Sequence, residues 1–135
     1  MSLITWDDSY SVKVEEIDVQ HQKLISLIND LNDGMEAGKS KEILGAIIDE
    51  LVKYTRYHFE TEEKYFAQIN YPETRAHEKE HNDFVKQVAE FQERFEKGSA
   101  LLSVEIITFL KKWLTEHIKG TDQKYSEYFN ERGIY

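Results

Sequence analysis

Cysteine is absent from the 135 residues. Its absence excludes disulfides, thiolate metal sites and iron–sulfur clusters, and fits a reducing compartment. Proline occurs once and glycine six times, too few turn residues for an all-β fold. Basic residues are outnumbered, 17 Lys and Arg against 26 Asp and Glu, for a net charge of −9. No Lys/Arg patch stands out, so nucleic acid is not an expected partner. No run approaches eighteen apolar residues, and no membrane span is expected. The opening "MSLITWDDSYSV" has neither a basic start nor a long apolar stretch. No signal peptide is therefore expected, and the location is expected to be cytoplasmic.

What is present suits a soluble helical domain. Hydrophobic residues make up 40% and charged residues 32%, ordinary values for a globular chain. The length predicts one domain over residues 1–135, with room for four helices of about 30 Å around one core. Residues 1–17 read as an extended arm, with Trp6, Tyr10, Val12 and Val14 spaced to press on a neighbour. Asp18 is the expected N-cap of a first helix, along which His21, Leu24, Ile28, Leu31 and Met35 recur at helical spacing. Gly34 and Gly38 weaken its end. Ser40 is placed to cap a second helix, with an inner stripe of Leu44, Ile47, Ile48, Leu51, Tyr54 or Thr55, His58, Glu62, and Tyr65 or Phe66. Pro72 suits the first turn of a third, which carries His77, His81, Phe84, Val88, Phe91 and Phe95 until "KGS" at 97–99. A fourth runs from about Leu102 to Lys119, with Ile106, Ile107, Leu110, Trp113, Leu114 and His117 inward. Gly120 ends or distorts it, and a short segment over 121–130 follows with Tyr125 and Phe129. The expected fold is all-α: an up-down-up-down four-helix bundle with an extended N-terminal arm and a short C-terminal helix.

All five histidines fall on predicted inner stripes. A buried imidazole needs partners for both ring nitrogens, and five in one small bundle point to a shared metal. His58 and Glu62 stand four residues apart, as do His77 and His81, so each pair shares a helix face with side chains about 6 Å apart. In an up-down bundle the start of the first helix, the end of the second, the start of the third and the end of the fourth meet at one end. His21, His58, His77 and His117 all fall in that layer. Asp122 follows His117 by five residues, about 140° off its face on a regular α-helix. A π-type distortion at Gly120 would bring the carboxylate back.

The segments "IDVQHQ" at 17–22, "HFETEE" at 58–63, "HEKEH" at 77–81 and "HIKGTD" at 117–122 resemble, in order, the motifs of the hemerythrin family. "WLTEH" at 113–117 resembles the family's fourth helix, and "ITWDDSYSV" is similar to the start of bacterial single-domain members. The resemblance implies reversible dioxygen binding at a non-haem di-iron site. It implies one iron held by His77, His81 and His117, another by His21 and His58, and bridges from Glu62 and Asp122. With an oxo or hydroxo bridge, the two ions (Fe2+/Fe3+) have one open position, on the two-histidine iron. Dioxygen would bind there end-on as hydroperoxide. The family also places Leu24, Ile28, Phe59, Trp113, Leu114 and Ile118 around the dioxygen, in an apolar pocket.

Di-iron oxidases and oxygenases are the main rival reading, but such bundles use two Glu-x-x-His motifs and this chain has one, Glu78 to His81. An iron-storage or interaction module is the other. No nucleophile motif, phosphate loop or H-E-x-x-H is present, so no enzymatic activity is expected. The expectation is a monomeric oxygen carrier for storage or delivery. Sensing is a further possibility, but the chain shows no output domain. Dioxygen is the expected ligand, and an oxygen-consuming partner stays unnamed. Glu15, Glu16, Glu60 and Glu63 read as solvated. Tyr125 reads either as a hydrogen-bond donor to the site or as plain packing.

Overall fold

The computed structural model describes residues 4–98 and 102–135, with side chains from 105 onward in the second segment. Four long helices form the body: α1 (Glu15–Glu36), α2 (Lys41–Ile69), α3 (Thr74–Glu96) and α4 (Leu102–Glu116). A π-helical turn over His117–Asp122 joins α4 to the short α5 (Gln123–Glu131). Helix α1 packs on α2 and α4, and α3 packs on α2 and α4, closing an antiparallel ring. No strand occurs among the described residues, and the architecture is the expected four-helix bundle.

The helix ends show where local chemistry differed from expectation. Helix α1 starts at Glu15, with Val14 as N-cap, four residues before the expected cap at Asp18. Glu15, Glu16 and Asp18 all lie in its first turn, where the partial positive charge of the helix start favours carboxylates. Asp18 turns back instead. It accepts hydrogen bonds from the Val12 N–H at 2.8 Å and from Ser11 Oγ at 2.6 Å, clamping the arm to the helix. That arm is not wholly extended, since Asp8–Tyr10 forms a 3-10 turn. Its start is docked by reciprocal bonds between Asn29 and the Ile4 backbone.

Ser40 caps α2 as expected, accepting from the Ile43 N–H at 3.3 Å. At the other end Asn70 adopts a left-handed conformation (φ 53°), a common helix stop. Pro72 lies in the turn that follows, not in a helix. The Thr74 hydroxyl and N–H both bond to the Tyr71 carbonyl, and α3 begins at Thr74. Gly34 lies inside α1 and Gly38 just past it with a φ of 67°, a backbone state that favours glycine. Helix α3 ends at Glu96, before Lys97 and Gly98; Ser99, also expected to stop it, lies outside the described residues.

Two apolar clusters sandwich the histidine layer. The larger fills the bundle with Leu24, Ile28, Leu31, Leu51, Phe84, Leu110 and Leu114 among others. The smaller closes the end where α1 starts: Val12, Val14, Ile17, Phe66, Tyr71, Tyr125 and Phe129, from the arm, α1, α2, the α2–α3 turn and α5. Gln123, Ser126 and Asn130 donate to the carbonyls of Ser11, Val12 and Lys13, strapping α5 to the arm. The Phe66 ring lies 4.8 Å from His77 and that of Tyr125 5.6 Å, so this cap rests directly on the histidine layer.

Candidate metal centre

Helices α1, α2 and α3 and the π turn that follows α4 send side chains into one layer. Helix α1 contributes His21, α2 contributes His58 and Glu62, α3 contributes His77 and His81, and the π turn contributes His117 and Asp122. None of the seven is more than 4% exposed. The π turn is what aligns the last two. Its i→i+5 pattern puts residues five apart on one face, and His117 Nε2 lies 3.0 Å from Asp122 Oδ1. Gly120 is exposed, has no positive φ, and a Cβ there would meet nothing within 4 Å. The expected π-type distortion is present, and it does not depend sterically on glycine.

The approaches are close. Asp122 Oδ1 lies 2.8 Å from His77 Nε2, and Asp122 Oδ2 lies 3.1 Å from His21 Nε2. Glu62 Oε1 is 3.3 Å from His58 Nε2 and 3.1 Å from His81 Nε2, and Oε2 is 3.7 Å from His77 Nε2. Yet eight of these buried atoms have no partner with hydrogen-bond geometry: both nitrogens of His21, Nε2 of His77, His81 and His117, Glu62 Oε1, and both Asp122 oxygens. Short separation without N–H···O alignment means that lone pairs converge on common points. Unpartnered buried polar atoms are costly, and a cation removes that cost.

The donors form two groups: Glu62 with His77, His81 and His117, and His21, His58, Glu62 and Asp122. Glu62 belongs to both, and Asp122 reaches into the first through His77 and His117. Separations near 3 Å match the edge of an octahedron whose metal–ligand bonds are about 2.1 Å. Imidazole with carboxylate, and no thiolate, suits iron. The residues present fit a pair of iron ions.

Without metal the cluster is a set of opposed charges. Burial works against the charged form of His77, but Asp122 and Glu62 outweigh it and raise its pKa to about 9. Burial likewise opposes charge on His117, which Asp122 and Glu80 lift to about 10. For His21 burial wins, and its pKa is lowered. Burial opposes charge on Glu62 and Asp122 as well. The neighbouring histidines nevertheless hold both well below the usual carboxylate range.

A second set of groups holds the histidine rings from behind. Gln20 Oε1 lies 2.7 Å from His58 Nδ1, Glu80 Oε2 lies 2.9 Å from His117 Nδ1, and Glu63 Oε1 lies 3.3 Å from His81 Nδ1. Tyr125 donates its hydroxyl to Glu62 Oε2 at 2.5 Å, which decides between its two readings. Glu63 was expected to be solvated and instead faces the His81 ring. Glu16, expected likewise, is exposed but accepts from the Tyr65 hydroxyl; Glu15 and Glu60 are exposed as expected. Gln20 and Glu80 were not anticipated. Gln20 falls at helical spacing with Ile17, Leu24, Leu27 and Leu31, and that position on an apolar stripe marks it. Glu80 has no such signal, because it is half-exposed at the stripe's edge.

Beneath the layer lies a cavity of about 10 Å³ lined by Leu24, Ile28, Leu51, Thr55, Phe84, Leu110, Trp113 and Leu114. Leu24, Thr55, Phe84 and Leu114 each sit three residues deeper in the bundle than His21, His58, His81 and His117, one helical turn away. Of the six residues expected around a pocket, Leu24, Ile28, Trp113 and Leu114 line this cavity. Phe59 stacks on His81 with ring centres 3.8 Å apart, and Ile118 is fully buried beside His117, but neither lines it.

Residues 12–129 match the model of the hemerythrin HHE cation-binding domain. A bacteriohemerythrin of Stenotrophomonas maltophilia (strain R551-3) is 37% identical over 94% of this chain and 82% of its own. One from Methylococcus capsulatus (strain ATCC 33009 / NCIMB 11132 / Bath) is 32% identical over 93% and 95%. A hemerythrin-like protein of Naegleria gruberi is 34% identical over 92% of each chain. Among solved structures, a wild-type hemerythrin superposes with a TM-score of 0.85 at 29% identity, covering 93% of this chain and 96% of that one.

Proposed function

The chain belongs to the hemerythrin family, and on that premise we propose that it binds dioxygen reversibly at a non-haem centre of two iron ions, as a carrier and not an enzyme. The observation that carries the reading is a set of seven buried, unpartnered atoms facing one another: Nε2 of His21, His77, His81 and His117, Glu62 Oε1 and both Asp122 oxygens. His77, His81 and His117 would hold one ion, His21 and His58 the other. Glu62 and Asp122, which face both donor groups, would bridge them, with a solvent-derived oxo or hydroxo bridge between. When bound, a ferrous pair would supply the electrons for reversible dioxygen uptake. The chain acts as one unit in this reading.

The protein's own residues set the conditions. Tyr125 holds Glu62 Oε2 in place and keeps its own proton, because burial and then the Asp122 and Glu62 carboxylates push its pKa well above that of a free phenol. Gln20, Glu63 and Glu80 accept from Nδ1 of three ligand rings, leaving Nε2 bare toward the cluster. Leu24, Ile28, Trp113 and Leu114 make the adjacent cavity apolar and shed water from it. A space of about 10 Å³ is on the scale of one water. That supports a diatomic ligand over the organic substrate an oxygenase needs.

The test is anaerobic loading with ferrous iron followed by cycles of air and argon. A carrier switches its visible absorption band on and off without consuming reductant. Steady consumption of reductant in air would indicate an oxidase instead.

A further inference from the structure

We propose that the residues behind the ligand histidines make the two metal positions unequal, so that the His77–His81–His117 position fills first and binds its ion more tightly than the His21–His58 position. The inference rests on the two-ion reading above. It adds roles for Glu80, Glu63 and Gln20 as positioning residues.

The asymmetry is one of charge. On the three-histidine side His117 faces the Glu80 carboxylate at 2.9 Å and His81 faces the Glu63 carboxylate at 3.3 Å. Glu80 is fixed by a second bond, from Thr121 Oγ1 at 3.1 Å. That bond also ties α3 to the π turn carrying His117 and Asp122. On the two-histidine side the corresponding groups are neutral or missing. His58 Nδ1 faces Gln20, and His21 Nδ1 has no protein partner.

The Gln20 side chain has only one orientation that fits. Thr61 Oγ1 donates to the Tyr57 carbonyl, so it accepts from Gln20 Nε2, and Gln20 Oε1 is left to accept from His58. His58 therefore has the same tautomer as His117 and His81, with Nε2 free for metal. The difference is that its acceptor bears no charge. An imidazole whose N–H is held by a carboxylate is a stronger base toward a metal than one held by an amide, and the carboxylate also offsets part of the ion's charge. Glu80 and Glu63 are partly exposed, which weakens but does not cancel the effect. Glu80, with the shorter contact and the second anchor, dominates.

The test uses Zn2+, which takes imidazole and carboxylate ligands, added to the metal-free full chain against a chromophoric chelator. The ring nitrogen resonances of the five histidines are followed by NMR. In the wild type the first equivalent is expected to move His77, His81 and His117, and the second His21 and His58. Glu80→Gln keeps an acceptor for His117 but removes the charge. It is expected to weaken the first step by about 10-fold or more and leave the second nearly unchanged. Gln20→Glu acts in the opposite direction, strengthening the second step and narrowing the gap. Filling without preference, filling of His21 and His58 first, or an unchanged gap in both variants would overturn the inference alone. Saturation at one ion would overturn the two-ion reading with it. Because neither iron nor dioxygen is used, failure of reversible dioxygen binding would contradict the function and leave this result standing.

Discussion

Tyr125 donates its hydroxyl hydrogen to Glu62 Oε2 at 2.5 Å, both side chains fully buried. This bond joins the short C-terminal helix to the middle of the donor cluster, across 63 residues of chain. Its ring also belongs to the aromatic cap with Phe66 and Phe129. Tyr125→Phe separates the two roles, because the ring stays and the donor goes. It is expected to fold and keep its metal, but to lose about 1.5–3 kcal/mol, the range for a hydrogen bond to a charged group. Chemical denaturation of the metal-free proteins measures this. An unchanged midpoint would make Tyr125 a packing residue only.

Glu62 is the one residue present in both donor groups. Glu62→Ala is therefore expected to abolish the paired centre and not merely halve its occupancy. Iron analysis after anaerobic loading, together with the magnetic coupling of the ferric form, reads this directly. A variant that retains two coupled ions would remove Glu62 from the bridging role.

The metal-free protein should be most stable at intermediate pH. His77 and His117 have pKa values raised above the ordinary 6.5 to about 9 and about 10. Their contribution is fully present below pH 6.5 and is lost as pH rises through those values. Glu62 and Asp122 are held low, so theirs is present above the usual carboxylate range and lost as pH falls. Burial of His21 lowers its pKa, adding to the loss on the acid side. The melting temperature of metal-free protein is expected to decline between about pH 6.5 and 10, by several degrees for each kcal/mol lost. Metal-loaded protein should not decline there, because the same nitrogens are held by the ion. Loading near neutral pH should release protons. A flat alkaline limb in the metal-free form would contradict the charge assignment.

Leu114 lies one turn below His117 and lines the small cavity. Leu114→Ala is expected to cost about 2–5 kcal/mol of stability. The enlarged space, next to polar donors, can hold water. The variant should keep two irons and still take up dioxygen, but its oxygenated absorption band should decay faster in air. Equal decay at matched pH and temperature would leave Leu114 a core residue and nothing more.

Much of this arrangement was legible because helical spacing is strict. His58 with Glu62, and His77 with His81, could be placed on shared faces by counting, and the up-down order put four helices' histidines in one layer. Asp122 was legible only through a departure from α geometry; the π turn occurs there, although it does not require glycine at position 120 sterically. Helix starts were less legible. Asp18 looked like a cap because capping residues and first-turn carboxylates are the same residue types, and only the contacts of Ser11 and Val12 tell them apart. Pro72 fits a first helical turn equally well in sequence; the bonds from Thr74 to Tyr71 put it outside. The groups behind the histidine rings were the hardest. Gln20 sits on an apolar stripe and could have been flagged. Glu63 and Glu80 are surface carboxylates in composition and spacing, and only tertiary distance shows that they face His81 and His117.

The proposed two-iron centre takes up dioxygen and releases it. The most direct test combines iron analysis with absorption spectra over repeated air and argon cycles of one anaerobically loaded sample. Two irons per chain are expected, with a visible band that appears in air, disappears under argon and returns with little loss of amplitude. A single bound ion, or a band that never reverses once air is admitted, would contradict the proposal.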